Sequence, residues 1–126
     1  MNEFLSKQTS KQFLGSQGEK LARDFLESKG YTFVDQNFHS RYGEIDLIMK
    51  YKKEYIFVEV KTRTSRQFGT ALESITPSKI QKIYQTAQKY IWMHEQNESV
   101  PFQIDAVCID FENGVPHIEH FKNLGW

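Results

Sequence analysis

The chain has 126 residues, 39% apolar and 14% aromatic, enough for one ordinary core and too short for two comfortable domains. Sixteen basic residues balance sixteen acidic ones, so any affinity for nucleic acid must come from a local patch and not from overall charge. No apolar run approaches a membrane span, the opening MNEFLSKQTSKQFLG lacks the pattern of a signal peptide, and the lone Cys108 cannot form an internal disulfide; a cytoplasmic protein is expected.

A single domain covering 1–126 is expected, with residues 1–9 as a flexible N-terminal segment. From Ser10 to about Lys29, Leu14, Gly18, Leu21, Ala22, Phe25 and Leu26 keep helical spacing, and Gly30 supplies a left-handed stop. YTFVDQNF reads as a short strand followed by the loop HSRYG. GEIDLIMKY and EYIFVEVKTR are two further strands around Lys52 and Lys53, so a tight hairpin is the simplest connection although no glycine marks its turn.

RQFGTALES reads as a loop with a short helix. The clearest helix follows, where Thr76 can cap, Pro77 suits the first turn, and Ile80, Ile83, Tyr84, Ala87 and Ile91 recur at helical intervals. FQIDAVCIDF is a strand, Asn113 and Gly114 mark a turn, and VPHIEHF is a last strand that Pro116 assigns to an edge. In AVCID, Cys108 reads as a buried small hydrophobe, and Asp105 as a strand-end aspartate bonded to backbone. The order of elements implies an α/β or α+β layer structure.

Alternation places Phe57, Glu59, Lys61 and Arg63 on one face of their strand, and Glu44, Asp46 and Ile48 on one face of the preceding strand. A turn centred on Lys52 and Lys53 pairs Tyr51 with Glu54 and so sets Asp46 opposite Glu59. Two directly opposed carboxylates ordinarily destabilise a sheet. Either Lys61 offsets them or a magnesium ion does, with manganese as a substitute; such ions take carboxylate oxygens, water and phosphate oxygens. Held between Asp46 and Glu59, a metal would activate water and stabilise charge on phosphate, while Lys61 would aid deprotonation or the pentacovalent state. The competing reading is an amphipathic hairpin with an ordinary solvent face.

Basic residues Lys50, Lys52, Lys53, Lys61, Arg63 and Arg66 outnumber Glu54 and Glu59 in this stretch. The hairpin-tip lysines read as solubilising, whereas Arg63, Arg41 and Lys79, the last in the first turn of the long helix, are candidates for contacts to nucleic-acid phosphates. Glu19, four residues before Arg23, reads as half of a surface ion pair. Tyr84, Tyr90 and Trp92 read as core or interface. His39, His94, His117 and His120 form no zinc pattern.

Asp46 followed by Glu59-Val60-Lys61 matches the PD-(D/E)xK nuclease pattern. Together with GSQGEKLARDFLESKGY, Asn37 before RYGEIDLIM, FVEVKTR, FGTALESI and the helix at Lys79, it resembles the bacterial YraN family of predicted endonucleases, which are similar to archaeal Holliday-junction resolvases. The resemblance covers about Gly15 to Asp110. It implies a restriction-endonuclease-like fold with a mixed sheet flanked by helices, and an active-site set of Glu19, Asp46, Glu59 and Lys61, with the Val60 backbone carbonyl as a further metal ligand. It also implies cleavage of DNA, branched or structured DNA included, and a homodimer like the resolvases. The alternatives are a nucleic-acid-binding module that does not cut, and a protein-interaction domain on the same fold.

Overall fold

The computed structural model describes residues 10–64 and 71–125, with side chains from Leu14 onward. Helix α1 spans Ser10–Ser28 and ends where Gly30 adopts a left-handed φ of 95°. The Gly30 amide donates to the Glu27 carbonyl and the Tyr31 amide to that of Leu26, a Schellman closure that turns the chain into β1, Thr32–Ser40. His39 and Ser40, expected in a loop, belong to this strand because β2, Gly43–Tyr51, offers them Glu44 and Gly43 as partners. Only Arg41 and Tyr42 remain as the turn.

Strand β3, Glu54–Arg63, follows a second hairpin in which Lys52 and Lys53 are both left-handed, with φ of 50° and 71°. Such a pair is what a type I′ turn requires, and here two lysines supply it. Of RQFGTALES, residues 66–70 lie outside the described residues, and Leu72–Ser74 form one 3-10 turn. Helix α2, Pro77–Glu95, begins as expected: the Thr76 hydroxyl accepts from the Lys79 amide at 3.2 Å and Pro77 opens the first turn. Strands β4, Phe102–Glu112, and β5, Val115–Phe121, flank the left-handed Asn113-Gly114 turn.

The sheet runs β1-β2-β3-β4-β5, antiparallel except between β3 and β4, where α2 carries the chain back. Ala22 and Leu26 of α1 pack with Leu47, Met49, Ile56, Val58 and Val107 on one face. On the other, Ile83, Ala87, Tyr90 and Ile91 of α2 pack with Ile48, Tyr55, Phe57 and Ile104. A mixed sheet with a helix on each face is a restriction-endonuclease-like α/β architecture. Cys108 is buried, which pushes its thiol up to about 11, and Pro116 sits on the edge strand β5. Among the described residues no helix is long and apolar enough to cross a membrane.

Candidate active site

The register expected for the β2–β3 hairpin is present from Tyr51↔Glu54 to Leu47↔Val58, and the regular pairs stop one short of Asp46 and Glu59. The reason lies in Asp46 itself: its Oδ2 accepts the Val60 amide at 2.8 Å, taking a backbone donor from the ladder. Strict alternation also fails there. Ile45, expected beside Leu47 and Met49, packs instead with Ile48 in the core under α2. On the neighbouring strand the same position is irregular, since Asn37, between the pairs Gln36↔Leu47 and Phe38↔Ile45, has a left-handed φ of 52°. The sheet is therefore distorted on both strands at the level of Asp46.

Glu59 is only 5% exposed, which excludes the ordinary solvent face of an amphipathic hairpin. Its face is covered by α2, and the Lys79 ammonium lies 3.2 Å from Glu59 Oε1. Burial raises the pKa of Glu59, opposed first by Lys79 and then by Lys61, which stands two residues on along β3. Asp46 is pushed up to about 7 by burial first and by the charge of Glu59 second; the Val60 amide pulls the other way. The two carboxyls behave as a pair that resists taking its second charge.

Glu19 reaches this place from α1. A Cβ on Gly18 would collide with Thr62 Cγ2, so the absence of a side chain lets the helix press against β3 beside Lys61. Glu19 is pushed up to about 6 by burial, then by the charge of Asp46, while a hydrogen bond from Asn37 resists the shift. The surface pair expected with Arg23 is not the one formed: Arg23 Nε binds Glu27 at 3.2 Å, and its guanidinium packs over Phe33. Three elements thus contribute linked carboxyls: Glu19 feels the charge of Asp46, and Asp46 that of Glu59.

The basic residues divide. Lys61 and Lys79 belong to the carboxylate cluster, and Arg63 Nε contacts Asp110 Oδ1 at 3.3 Å across the parallel pair β3–β4. Arg41 lies on its neighbour Tyr42, donating from Nη2 to the hydroxyl at 2.7 Å. Lys50, Lys52 and Lys53 sit at the closed end of the β2–β3 hairpin, away from Asp46 and Glu59; Lys50 and Lys52 pack over Tyr55 and Tyr51. The basic excess read along this stretch is therefore split between two ends of the sheet, and Arg66 lies outside the described residues. Asn37 is the member that residue-level reading passes over. Its one signal is an asparagine, unusually tolerant of left-handed backbone, inside a strand.

Among the described residues no three of His, Cys, Asp and Glu stand close enough to form a metal-binding group. The donor set nevertheless fits magnesium: hard oxygens from Asp46 and Glu59, with the Val60 carbonyl on the same segment of β3, and two carboxyls whose mutual repulsion a cation would relieve. Magnesium commonly uses one or two carboxylates and completes its shell with water and phosphate oxygens.

Comparisons with known proteins agree with the resemblance read from the motifs. A family model described as uncharacterised protein family UPF0102 matches residues 18–109. A UPF0102 protein of Shewanella sp. (strain MR-4) is 42% identical over 97 residues, covering 77% of this chain and 88% of that one. One from Syntrophomonas wolfei is 40% identical over 115 residues, covering 87% and 95%, and one from Colwellia psychrerythraea is 37% identical over 123 residues, covering 97% and 95%.

Proposed function

Because the chain belongs to the uncharacterised protein family UPF0102, whose name assigns no activity, function has to be argued from the site, and we propose a magnesium-dependent nuclease that hydrolyses phosphodiester bonds in DNA. The observation that carries this reading is the pair Asp46 and Glu59, half-buried and buried on β2 and β3, in which the charge of Glu59 raises the cost of charging Asp46 and Lys79 offsets that of Glu59, with Glu19 of α1 feeling the charge of Asp46 in turn. Structural carboxylates are normally arranged so that hydrogen bonds or ion pairs favour their charge; a cluster strained in this way is a site that expects a cation.

In this reading Asp46, Glu59 and the Val60 carbonyl would hold the metal, which would supply charge stabilisation on the phosphate and acidify a water. Asp46 keeps its orientation through the Val60 amide, so the carboxylate is aimed before substrate arrives. Lys61 projects from the same face of β3 as Glu59, where its ammonium donates hydrogen bonds to phosphate oxygen or helps position the attacking water. Glu19 adds a carboxyl from the opposite helix, held by Asn37. Arg63, one step beyond Lys61 on that face and in contact with Asp110, would meet a flanking phosphate.

A second reading, a nucleic-acid-binding module without cleavage, is favoured by one interaction: Lys79 already supplies Glu59 with an internal cation at 3.2 Å. The deciding experiment is magnesium-dependent cleavage of duplex, single-stranded, flap and four-way junction DNA, with Asp46→Ala and Lys61→Ala alongside. The nuclease reading expects each variant to lose about 10²-fold or more in rate. Cleavage undiminished in both variants, or no cleavage of any substrate by the wild type, overturns it.

A further inference from the structure

Laying α2 against the sheet redraws the charge map of a chain that is neutral overall. From Pro77 to His94 the helix carries Lys79, Lys82 and Lys89 and no aspartate or glutamate. These lysines and Thr86 recur at steps of three and four, the spacing of one helical face. Three residues on that face have a fixed place, running from Glu59 of β3 to the closed end of the β1–β2 hairpin. Lys79 is at Glu59; the Lys82 Cβ lies 3.7 Å from where a Cβ on Gly43 would be; the hydroxyls of Thr86 and Ser40 are hydrogen-bonded at 3.1 Å. Ten residues of helix from Lys79 to Lys89 span about 15 Å, about four base steps of B-form DNA.

At Lys89 the strip opens into two adjoining grooves. One, of about 440 Å³, is lined by Phe38, Arg41, Tyr42, Lys89 and Met93 among others; the second, of about 370 Å³, shares Tyr42 and Lys89 and continues to Tyr84 and Phe102. Tyr42 forms part of the wall of both and is 36% exposed. The Arg41 guanidinium lies over one side of the Tyr42 ring, 4.9 Å from its centroid, so the exposed ring carries a positive charge beside it. Acidic residues border the strip at Glu44, 3.3 Å from His39 Nδ1, and at Glu98 on the far rim of the second groove.

We propose that this strip and its grooves form a track for a single strand of nucleic acid leaving the carboxylate site, with phosphates along Lys82 and Lys89 and an unstacked base against Tyr42. The inference rests on the nuclease reading for its starting point at Glu59. A duplex would need only the lysines. An exposed aromatic ring beside cationic side chains is what a splayed base uses, because every base offers a face to stack and the backbone follows the positive charge.

The test is fluorescence anisotropy in the Asp46→Asn background, comparing a duplex that carries a single-stranded arm with a blunt duplex of the same sequence. Tyr42→Ala should weaken binding of the armed DNA about tenfold and leave the blunt duplex unchanged, whereas Tyr42→Phe, which keeps the ring, should bind as the parent does. Lys82→Ala with Lys89→Ala should reduce the dependence of log affinity on log salt by about 1.4 on the armed DNA, about 0.7 for each phosphate no longer neutralised. Lys52→Ala with Lys53→Ala, at the far hairpin tip, should change neither. Equal binding of armed DNA by Tyr42→Ala and its parent, equal losses on both DNAs, or no DNA binding at all by the parent overturns the track. If the wild type cleaves DNA yet Tyr42→Ala binds like its parent, the track falls and the nuclease stands. If the binding differences hold and the wild type cuts nothing, the nuclease falls and the track stands.

Discussion

Asp46 on β2, half-buried, and Asp105 on β4, fully buried, are carried by the same sheet, and the chain provides for them in opposite ways. Asp105 is fully buried and has three partners: Gln103 Nε2 at 3.0 Å, the Asn123 amide at 3.0 Å and His120 Nε2 at 2.8 Å. The partners come from β4 itself, from β5 and from the segment after β5, so this acid ties the edge of the sheet together. The burden shifts to His120, whose Nδ1 is buried without a partner among the described residues. Asp46 receives one amide, from Val60, and the charges of Glu59 and Glu44 press on it more than Lys79, the last and smallest influence, relieves it. Burial alone does not distinguish a site from a structural polar group; burial with the charge only partly compensated does.

The comparison breaks first, and by the largest margin, at Asp105. Asp105→Ala strands His120, Gln103 and the Asn123 amide inside the protein and should cost about 3–5 kcal/mol in urea unfolding at neutral pH. A loss below about 1 kcal/mol would show that Asp105 is not the tie the hydrogen bonds describe.

Asp46 should behave in the reverse sense. Its carboxyl titrates near 7 in the folded chain against 3.8 as an ordinary aspartate, so between those values the folded state holds a proton that the unfolded chain has released. Stability from this source is complete below about pH 4 and drains away as pH rises towards 7. Asp46→Asn removes the drain: the variant should be more stable than wild type by about 2–4 kcal/mol at pH 8 and no more stable at pH 4. The nuclease reading requires that this more stable protein be the inactive one. Thermal melts across that range, without magnesium, check it, and an unchanged difference at the two pH values refutes it.

The smallest effect concerns the third carboxylate. Gly18→Ala gains helix propensity but places a methyl group against Thr62, for a net loss of about 1 kcal/mol, and it shifts Glu19 away from Asp46. Pairing it with Thr62→Ala should restore the stability. Failure of that rescue would mean that the close approach of α1 to β3 is not what positions Glu19.

Much of this arrangement is legible from residues alone because its causes are local. Thr76-Pro77, Gly30 and Asn113-Gly114 set element ends by chemistry confined to a few residues, and the two-lysine turn sets the β2–β3 register as far as Leu47↔Val58. Asp46, Glu59 and Lys61 follow from that register. What stays hidden is what depends on partners distant in sequence. Nothing near Glu59 says that α2 will cover it, although Phe57 on the same face is a hint; nothing near Lys79 says that its ammonium will reach back across β3. The break in alternation at Asp46 is illegible for a related reason. A period of two assumes that backbone donors pair with backbone acceptors, and here a side chain intervenes. Asn37 looks like an ordinary strand residue, and His39 and Ser40 like a loop, because their conformation depends on partners in β2 and α1.

That intervention also makes the site self-reporting. The Val60 amide proton points at a carboxylate oxygen that changes charge near neutrality, whereas its neighbours in β3 point at carbonyls that do not. A single backbone resonance therefore carries the electrical state of the cluster, and it does so without a substrate, a label or an assay for any reaction.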